Sequence, residues 1–432
     1  MKLSLILRWC RWSAAVLLMA GSRAAGLGAE APEPANVKVL TLDEAIRVAL
    51  ESSPALVASC ARVEAAAGRA YQVKKWTNPQ LQMSADEWPV SGEGRFSDAI
   101  QTIGIAQTLP YPGKKSLDQR VGGAGVKVSQ AELALRRTEV VRDVKAAFVR
   151  VLASERLVDV STQLSVVAES SAATARKRVE AGAAAYQEQL RAEVQLVQAQ
   201  AELREFQREL ATARQGLVTV LRRPDLREAA VTGALAEAPR AALMEKTGED
   251  FLAQHPSAMA AQASVDRAEL EYRRARLEPY PDVTVAVSGG VLGETDQSII
   301  QIGFSLPIPI LDRSKGKQQE ARANARAAEA ELHIVRQQLL QEWVNAKKRY
   351  RTAAEQVASY REEALPKADE ALRLVQTGFE EGKFSFMDLV DTRRTTAEVR
   401  LTYQQKLLEL NVAQAEVEAL IQPQTFGPST SN

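Results

Sequence analysis

The chain has 432 residues, room for two or three ordinary domains. Its 46% hydrophobic and 25% charged content is ordinary for folded protein, and a net charge of +1 lacks the basic excess of a nucleic-acid binder. Two His and two Cys are too few and too scattered for a His/Cys metal centre or a disulfide framework, so no cofactor or resident metal is expected. His255 and His333 read as solvent-facing or satisfied histidines, and Cys60 stands alone in a helical pattern.

The first 29 residues carry Lys2, Arg8 and Arg11, then the apolar run Ser13–Ala20, then small residues up to Ala29. That order is a secretory signal, with cleavage expected after Ala24 or Ala29. The apolar run is shorter than the ~20 residues of a spanning helix, which argues against a membrane anchor. Cys10 precedes the run, so no lipid-anchored cysteine is expected at a mature N-terminus. No later segment is a continuous apolar helix of spanning length. Any passage through a membrane must therefore use strands.

A first structural repeat is expected over 40–224. Thr41-x-x-Glu44 is a capping box opening a short helix, and a second helix runs from Pro54 to about Trp76. Strands are expected at about 79–88 and 99–109, where Leu81, Met83, Ile103 and Ile105 alternate with small or polar residues. Trp76, Trp88 and Tyr111 mark their ends, and a turn is expected at Val90–Gly94. A helical hairpin then covers about 114–222. No proline lies between Pro112 and Pro224, and apolar residues recur at three- and four-residue steps, as at Val141, Val144, Phe148 and Leu152.

A second repeat is expected over 245–422, with strands at about 281–291 and 298–308 and a hairpin at about 314–421. Val283, Val285 and Val287, then Ile300, Ile302 and Phe304, alternate as before, with Tyr280 at one end and a turn at Gly289–Gly293. Pro366 should interrupt the long helix. Gly182 and Gly382 read as the hairpin turns, and residues 423–432 as a flexible tail. The two halves match at a nearly constant offset: Pro79 with Pro281, Gly104 with Gly303, Pro110 with Pro309, Gly182 with Gly382. Matched Pro and Gly punctuation is not expected from chance similarity of alanine-rich helices.

On pattern alone, a soluble sheet with one wet face competes with a membrane barrel. Export, and the placing of each strand pair between helices, favour the barrel. Four strands cannot close a barrel, and open edges are forbidden in lipid. Strands must be pooled among protomers: a dimer gives eight, filled by its own side chains, and a trimer gives twelve and leaves a hole.

At this point the chain from Leu40 to about Gln422 resembles the TolC family of outer-membrane efflux proteins. The resemblance is carried by Leu42-Asp43-Glu44-Ala45, Ser53-Pro54, Asn78-Pro79, the segment Gln107–Lys114, and the segment Gly382–Asp391. It implies a mainly α fold with a trimeric 12-stranded outer-membrane barrel, set in outer-membrane lipid and continuing into a periplasmic helical coiled-coil barrel. It also implies a periplasmic adaptor and an inner-membrane pump, of the proton-driven resistance-nodulation-division type, as partners. Pro110-Tyr-Pro-Gly-Lys114 looks most like members serving heavy-metal cation efflux. No catalytic constellation is present: Gly113-Lys114-Lys115-Ser116 lacks the upstream glycine of a phosphate-binding loop.

The same resemblance places Asp388 and Asp391 at the narrow periplasmic end, as two rings of three carboxylates that favour cations and whose crowding raises pKa values. Glu188 is the repeat counterpart of Asp388. The competing reading is that Ser385-x-x-Asp388 caps a helix. Gly182, Gly382 and Lys383 mark the tips expected to meet the adaptor, with simple loop closure as the alternative. Outer-membrane channels for drug efflux or type I protein secretion, and a periplasmic coiled-coil scaffold without a pore, stand as the alternatives.

Overall fold

The computed structural model describes residues 39–87, 99–245, 251–252, 254–292 and 295–421. The expected signal segment, Trp88, the turn at Val90–Gly94 and the C-terminal tail lie outside the described residues. In chain order the first half gives β1 (Val39–Leu40), α1 (Leu42–Ser52), α2 (Pro54–Lys74), β2 (Gln80–Asp86), β3 (Ile100–Leu109), α3 (Lys114–Glu180) and α4 (Tyr186–Leu221). Beyond a 3-10 turn at Pro224–Leu226 come β4 (Ala230–Val231), α5 (Ala241–Glu245), α6 (Pro256–Ala275), β5 (Val283–Leu292) and β6 (Gln297–Ser305). The helices α7 (Lys315–Ser359), α8 (Leu365–Glu380) and α9 (Phe386–Ile421) complete the order.

Local chemistry explains the boundaries. Thr41 caps α1 by accepting the Glu44 N–H, and the Glu44 carboxylate accepts the Thr41 N–H at 3.2 Å. Ser53 turns extended before Pro54, as the residue preceding a proline must, and α1 gives way to α2. With no proline to remove an N–H, α3 runs 67 residues, about 100 Å. Pro366 interrupts the α-helix as expected, at the start of α8, but the chain stays helical across the interruption. Tyr360–Ala364 widen into a π turn in which the Leu365 N–H reaches back to the Tyr360 carbonyl. The wider turn gives the proline ring room against the preceding carbonyl.

The α3 and α8 helices end alike. Gly182 and Gly382 adopt φ of +70° and +75°. Ala183 and Lys383 donate to the carbonyls of Arg178 and Gly378, while the glycine N–H groups donate to Val179 and Phe379. Both are Schellman caps, which satisfy carbonyls the helix itself leaves open.

The described chain forms two compact units, each drawing on both halves of the sequence. In the unit of residues 1–58, 134–255 and 337–432, one core gathers Ile46, Val144, Phe148, Val151, Leu217, Leu221 and Val231. The parallel β1–β4 pair closes over this core. A second core gathers Phe251, Trp343, Tyr350, Leu407, Leu410 and Val417. The segment between β4 and α5 is held by Asn411, whose side chain accepts the Ala236 N–H and donates to the Ala236 carbonyl at 2.8 and 2.9 Å. Lys145 and Glu418 form an ion pair at 2.7 Å nearby. Burial raises the pKa of Glu418, but the bonds from Lys145 and Gln414 outweigh it and hold the carboxyl below its usual range. His255 is buried against Phe251, and burial pushes its pKa down to about 4.

The unit of residues 59–133 and 256–336 contains one antiparallel sheet in the order β2-β3-β5-β6. The two hairpins join through β3 and β5, with Gly104 opposite Ser288 and Ala106 opposite Ala286. The turn expected at Gly289–Gly293 falls later. Gly289 and Gly290 are paired strand residues opposite Ile300 and Ile299, and β5 continues to Leu292. Their missing side chains serve close strand approach: a Cβ on Gly290 would lie 2.8 Å from Thr102 Cγ2.

Candidate functional site

The sheet has two chemically different faces. One carries Leu81, Met83, Ile103, Ile105, Val287, Ile300, Ile302 and Phe304, all more than half exposed except Val287, which is exposed to 50%. The opposite face carries small and polar residues in register: Ser84 beside Thr102, Gly104 beside Ser288, Thr108 beside Thr284. The hydroxyls pair across strands, Ser84 with Thr102 at 2.8 Å and Thr108 with Thr284 at 2.9 Å. An exposed apolar face beside a small hydroxyl face is the pattern of a strand with lipid on one side and water on the other. The outer strands β2 and β6 each pair on one side only among the described residues.

Where strands meet helices, ion pairs set the corner. Gly113 takes φ +93°, and the chain bends so that Lys114 is buried against Asp282 at 2.9 Å. Asp282 also accepts the Tyr111 N–H, and the rings of Tyr111 and Tyr280 stack at 4.7 Å. Arg274 bonds Asp118 at 2.7 Å and Glu278 at 2.6 Å.

Where α3 and α8 end and α4 and α9 begin, Ala172, Ala175, Ala192, Phe386 and Val390 form a small core. The structure thereby brings together the two tips that carry Gly182, Gly382 and Lys383. Arg178 spreads over Phe379 and Phe386 at 5.9 and 5.6 Å, and Arg393 donates to Ser171 at 3.2 Å. Sequence reasoning missed Arg178. Its one signal is a basic side chain in the last helical turn, which commonly serves only the helix dipole.

Asp388 is the N3 partner of a capping box. It accepts the Ser385 N–H and hydroxyl at 2.9 and 2.7 Å, and the Ser385 hydroxyl receives the Asp388 N–H. The Ser385 hydroxyl and N–H hold the Asp388 carboxyl below the usual carboxylate range, the opposite direction from crowding. The cap reading therefore holds within one chain. Asp391 is exposed and pairs with Arg394 at 3.1 Å. Glu188 lies in the first turn of α4 with its Oε2 enclosed and without a protein hydrogen-bond partner. Among the described residues no His, Cys, Asp or Glu cluster could hold a metal, and no helix is long and apolar enough to cross a membrane.

In chain order, strand pairs alternate with pairs of long helices, once in each half. Residues 45–223 and 248–421 match the family model described as outer membrane efflux protein. The chain belongs to the outer membrane efflux protein family. It is similar to the cobalt-zinc-cadmium resistance protein CzcC of Cupriavidus metallidurans, 27% identical over 84% of this chain and 85% of that one. It is also similar to the nickel-cobalt-cadmium resistance protein NccC of Alcaligenes xylosoxydans xylosoxydans, 24% identical over 73% and 69%. Among solved structures, the outer membrane protein VceC of Vibrio cholerae superposes with a TM-score of 0.72 at 18% identity, over 88% of this chain and 95% of that one. CusC superposes with a TM-score of 0.70 at 15% identity, over 88% and 91%.

Proposed function

We propose that the chain is the exit duct of a tripartite efflux system, passing heavy-metal cations out of the periplasm. The observation that carries the duct is the four-stranded sheet with one exposed apolar face, one hydroxyl face and two open edges. Open edges in hydrocarbon leave backbone groups unpaired, each costing several kcal/mol, so β6 pairs with β2 of the next copy. Three copies give twelve strands, the smallest pooled number that leaves a water-filled hole. The two sequence halves, 40–224 and 245–422, are then a duplicated unit. The cargo reading rests on the likeness to the CzcC and NccC proteins, whose names give cobalt, zinc, cadmium and nickel. Energy comes from an inner-membrane pump, reached through an adaptor docked at Gly182, Gly382 and Lys383.

Two measurements test this. The detergent-corrected mass of protein extracted from the outer-membrane fraction is expected to be three protomers. A monomer, or protein found only in the soluble periplasm, refutes the duct and favours a scaffold. Deletion is expected to sensitise cells to cobalt, zinc or cadmium; sensitivity to drugs alone moves the cargo to drug efflux.

The gate is placed at the same tips. Asp391 in threefold symmetry forms an exposed ring of carboxylates, which favours cations. Asp388 serves the ring from a capped position, and Glu188 contributes from α4. Asp388→Ala with Asp391→Ala is expected to raise single-channel conductance or lower cation selectivity in planar bilayers. Unchanged conductance and selectivity would remove the gate.

A further inference from the structure

β2 and β5 start, and β3 and β6 end, at one end of the sheet. Four segments flank that end: residues 74–79, 110–118, 274–282 and 306–317. Together they hold nine basic and four acidic residues in a chain whose net charge is +1. All four acids are engaged within the unit. Asp282 binds Lys114, Asp118 binds Arg274, Glu278 binds Arg274 and Lys317, and Asp312 accepts the Ser314 N–H. Lys74, Lys75, Lys115, Arg276, Arg313 and Lys315 hold no carboxylate among the described residues, and all but half-buried Lys115 are exposed. At the opposite end of the strands, the described residues Asp86, Glu87 and Asp296 are acidic and none is basic. The sheet is thus charged oppositely at its two ends.

Large apolar side chains stand among these cations. Trp76 is 61% exposed, Ile308 73%, Ile310 71% and Leu311 fully exposed. Lys75 lies over the exposed Tyr71 ring at 4.5 Å. Exposed aromatics and aliphatics beside uncompensated ammonium and guanidinium groups, next to an apolar strand face, match the boundary between acyl chains and phosphates.

We propose that this collar binds the headgroup phosphates of anionic glycerophospholipids in the periplasm-facing leaflet of the membrane. The inference rests on the exit-duct reading, which puts the sheet in that membrane. Lys74, Lys75, Arg313 and Lys315 make the phosphate contacts. Trp76, Ile308, Ile310 and Leu311 sit at the acyl boundary. The acidic opposite end is repelled by the same lipids, so the collar also fixes which way the strands face.

The test is lipid retention. The full chain is assembled in nanodiscs of equal phosphatidylglycerol and phosphatidylcholine, released in mild detergent, and its mass and bound lipid are read by native mass spectrometry. The native chain is expected to retain phosphatidylglycerol in preference. The quadruple variant Lys74→Gln, Lys75→Gln, Arg313→Gln, Lys315→Gln is expected to lose that preference, by roughly fivefold for each charge removed. A charge-matched control at exposed Lys127, Arg204, Arg322 and Lys348 is expected to keep it. Equal retention of both lipids by the native chain, or equal loss in the control, overturns the inference while leaving the duct intact. Loss of the preference on adding inorganic phosphate overturns the commitment to lipid. Failure of the native chain to enter nanodiscs as an oligomer overturns the duct itself, and the collar with it.

Discussion

A methyl group at Gly104 goes where β3 and β5 approach closely. The Cβ of alanine there would stand 2.5 Å from the Val287 carbonyl oxygen and 2.7 Å from Ser288 Cα, and would overlap Ser288 Cβ. Carbon atoms settle at about 3.5–4.0 Å, so about 1 Å of room is missing. Two of the obstructing atoms are backbone, which no rotamer change can move. Overpacking of this kind costs about 1–3 kcal/mol. Here the cost falls on the one strand pair that joins the two hairpins into a sheet. Gly104→Ala should therefore lower the heat-dissociation midpoint of the extracted protein by several degrees and reduce the assembled fraction. Gly123→Ala is the control: it lies inside α3 with nothing within 4 Å of the new Cβ, and alanine there should stabilise by about 0.5–1 kcal/mol. A Gly104→Ala protein that assembles at native yield with an unchanged midpoint refutes the close-approach argument.

Asn411→Ala removes both bonds to Ala236 and one to the Leu407 carbonyl, and leaves the Ala236 N–H and C=O unpaired in a half-buried place. A loss of about 2–4 kcal/mol is expected in urea unfolding. Asn411→Asp should rescue little, because a carboxylate cannot donate to those carbonyls. His255, with its pKa pushed down to about 4, stays neutral in the fold while the unfolded chain takes up a proton near pH 6.5. Stability contributed here is present above pH 6.5 and falls as pH drops toward 4. His255→Phe should flatten that part of the pH dependence, measured as unfolding midpoints at pH 7 and 4.5. Unchanged slopes would show that His255 does not set it.

Features governed by neighbours in sequence were legible. The Thr41 cap, the extended Ser53 before Pro54, the proline-free run of α3 and the αL glycines at 182 and 382 are each decided within about five residues. The alternation of Val283, Val285 and Val287 marked a strand, since its period of two needs no partner. What a strand pairs with does need one, and the β3–β5 junction was not readable from either hairpin. Gly289 and Gly290 read as a turn because glycine suits both turns and tight strand approaches, and only β3 on the far side decides between them. The Lys114–Asp282 and Arg178–Phe386 contacts join residues too distant in sequence for any local spacing to announce them. Asp388 illustrates the reverse case, a cap spacing in plain view that competed with a role assigned by resemblance.

The π turn at Tyr360–Ala364 has a further consequence, one of phase. Each residue turns an α-helix by about 100°, and the wide turn absorbs one extra residue without that rotation, so the residues after it lag the phase of a regular ladder by that amount. The buried stripe of α7, through Trp343, Ala346, Tyr350, Ala353 and Val357, therefore continues one residue out of sequence phase, with Leu365 packed against the same core. Substitutions at 360–364 leave this phase alone. Deleting one residue there would restore a regular ladder and leave Leu374, Phe379 and the Gly382 cap facing as they do, whereas deleting one within α8, where no wide turn absorbs the loss, would swing them by about 100° around the helix axis. The orientation of the tip is thus counted out in residues along α7 and α8, and the wide turn is the place where a residue can be lost without shifting it.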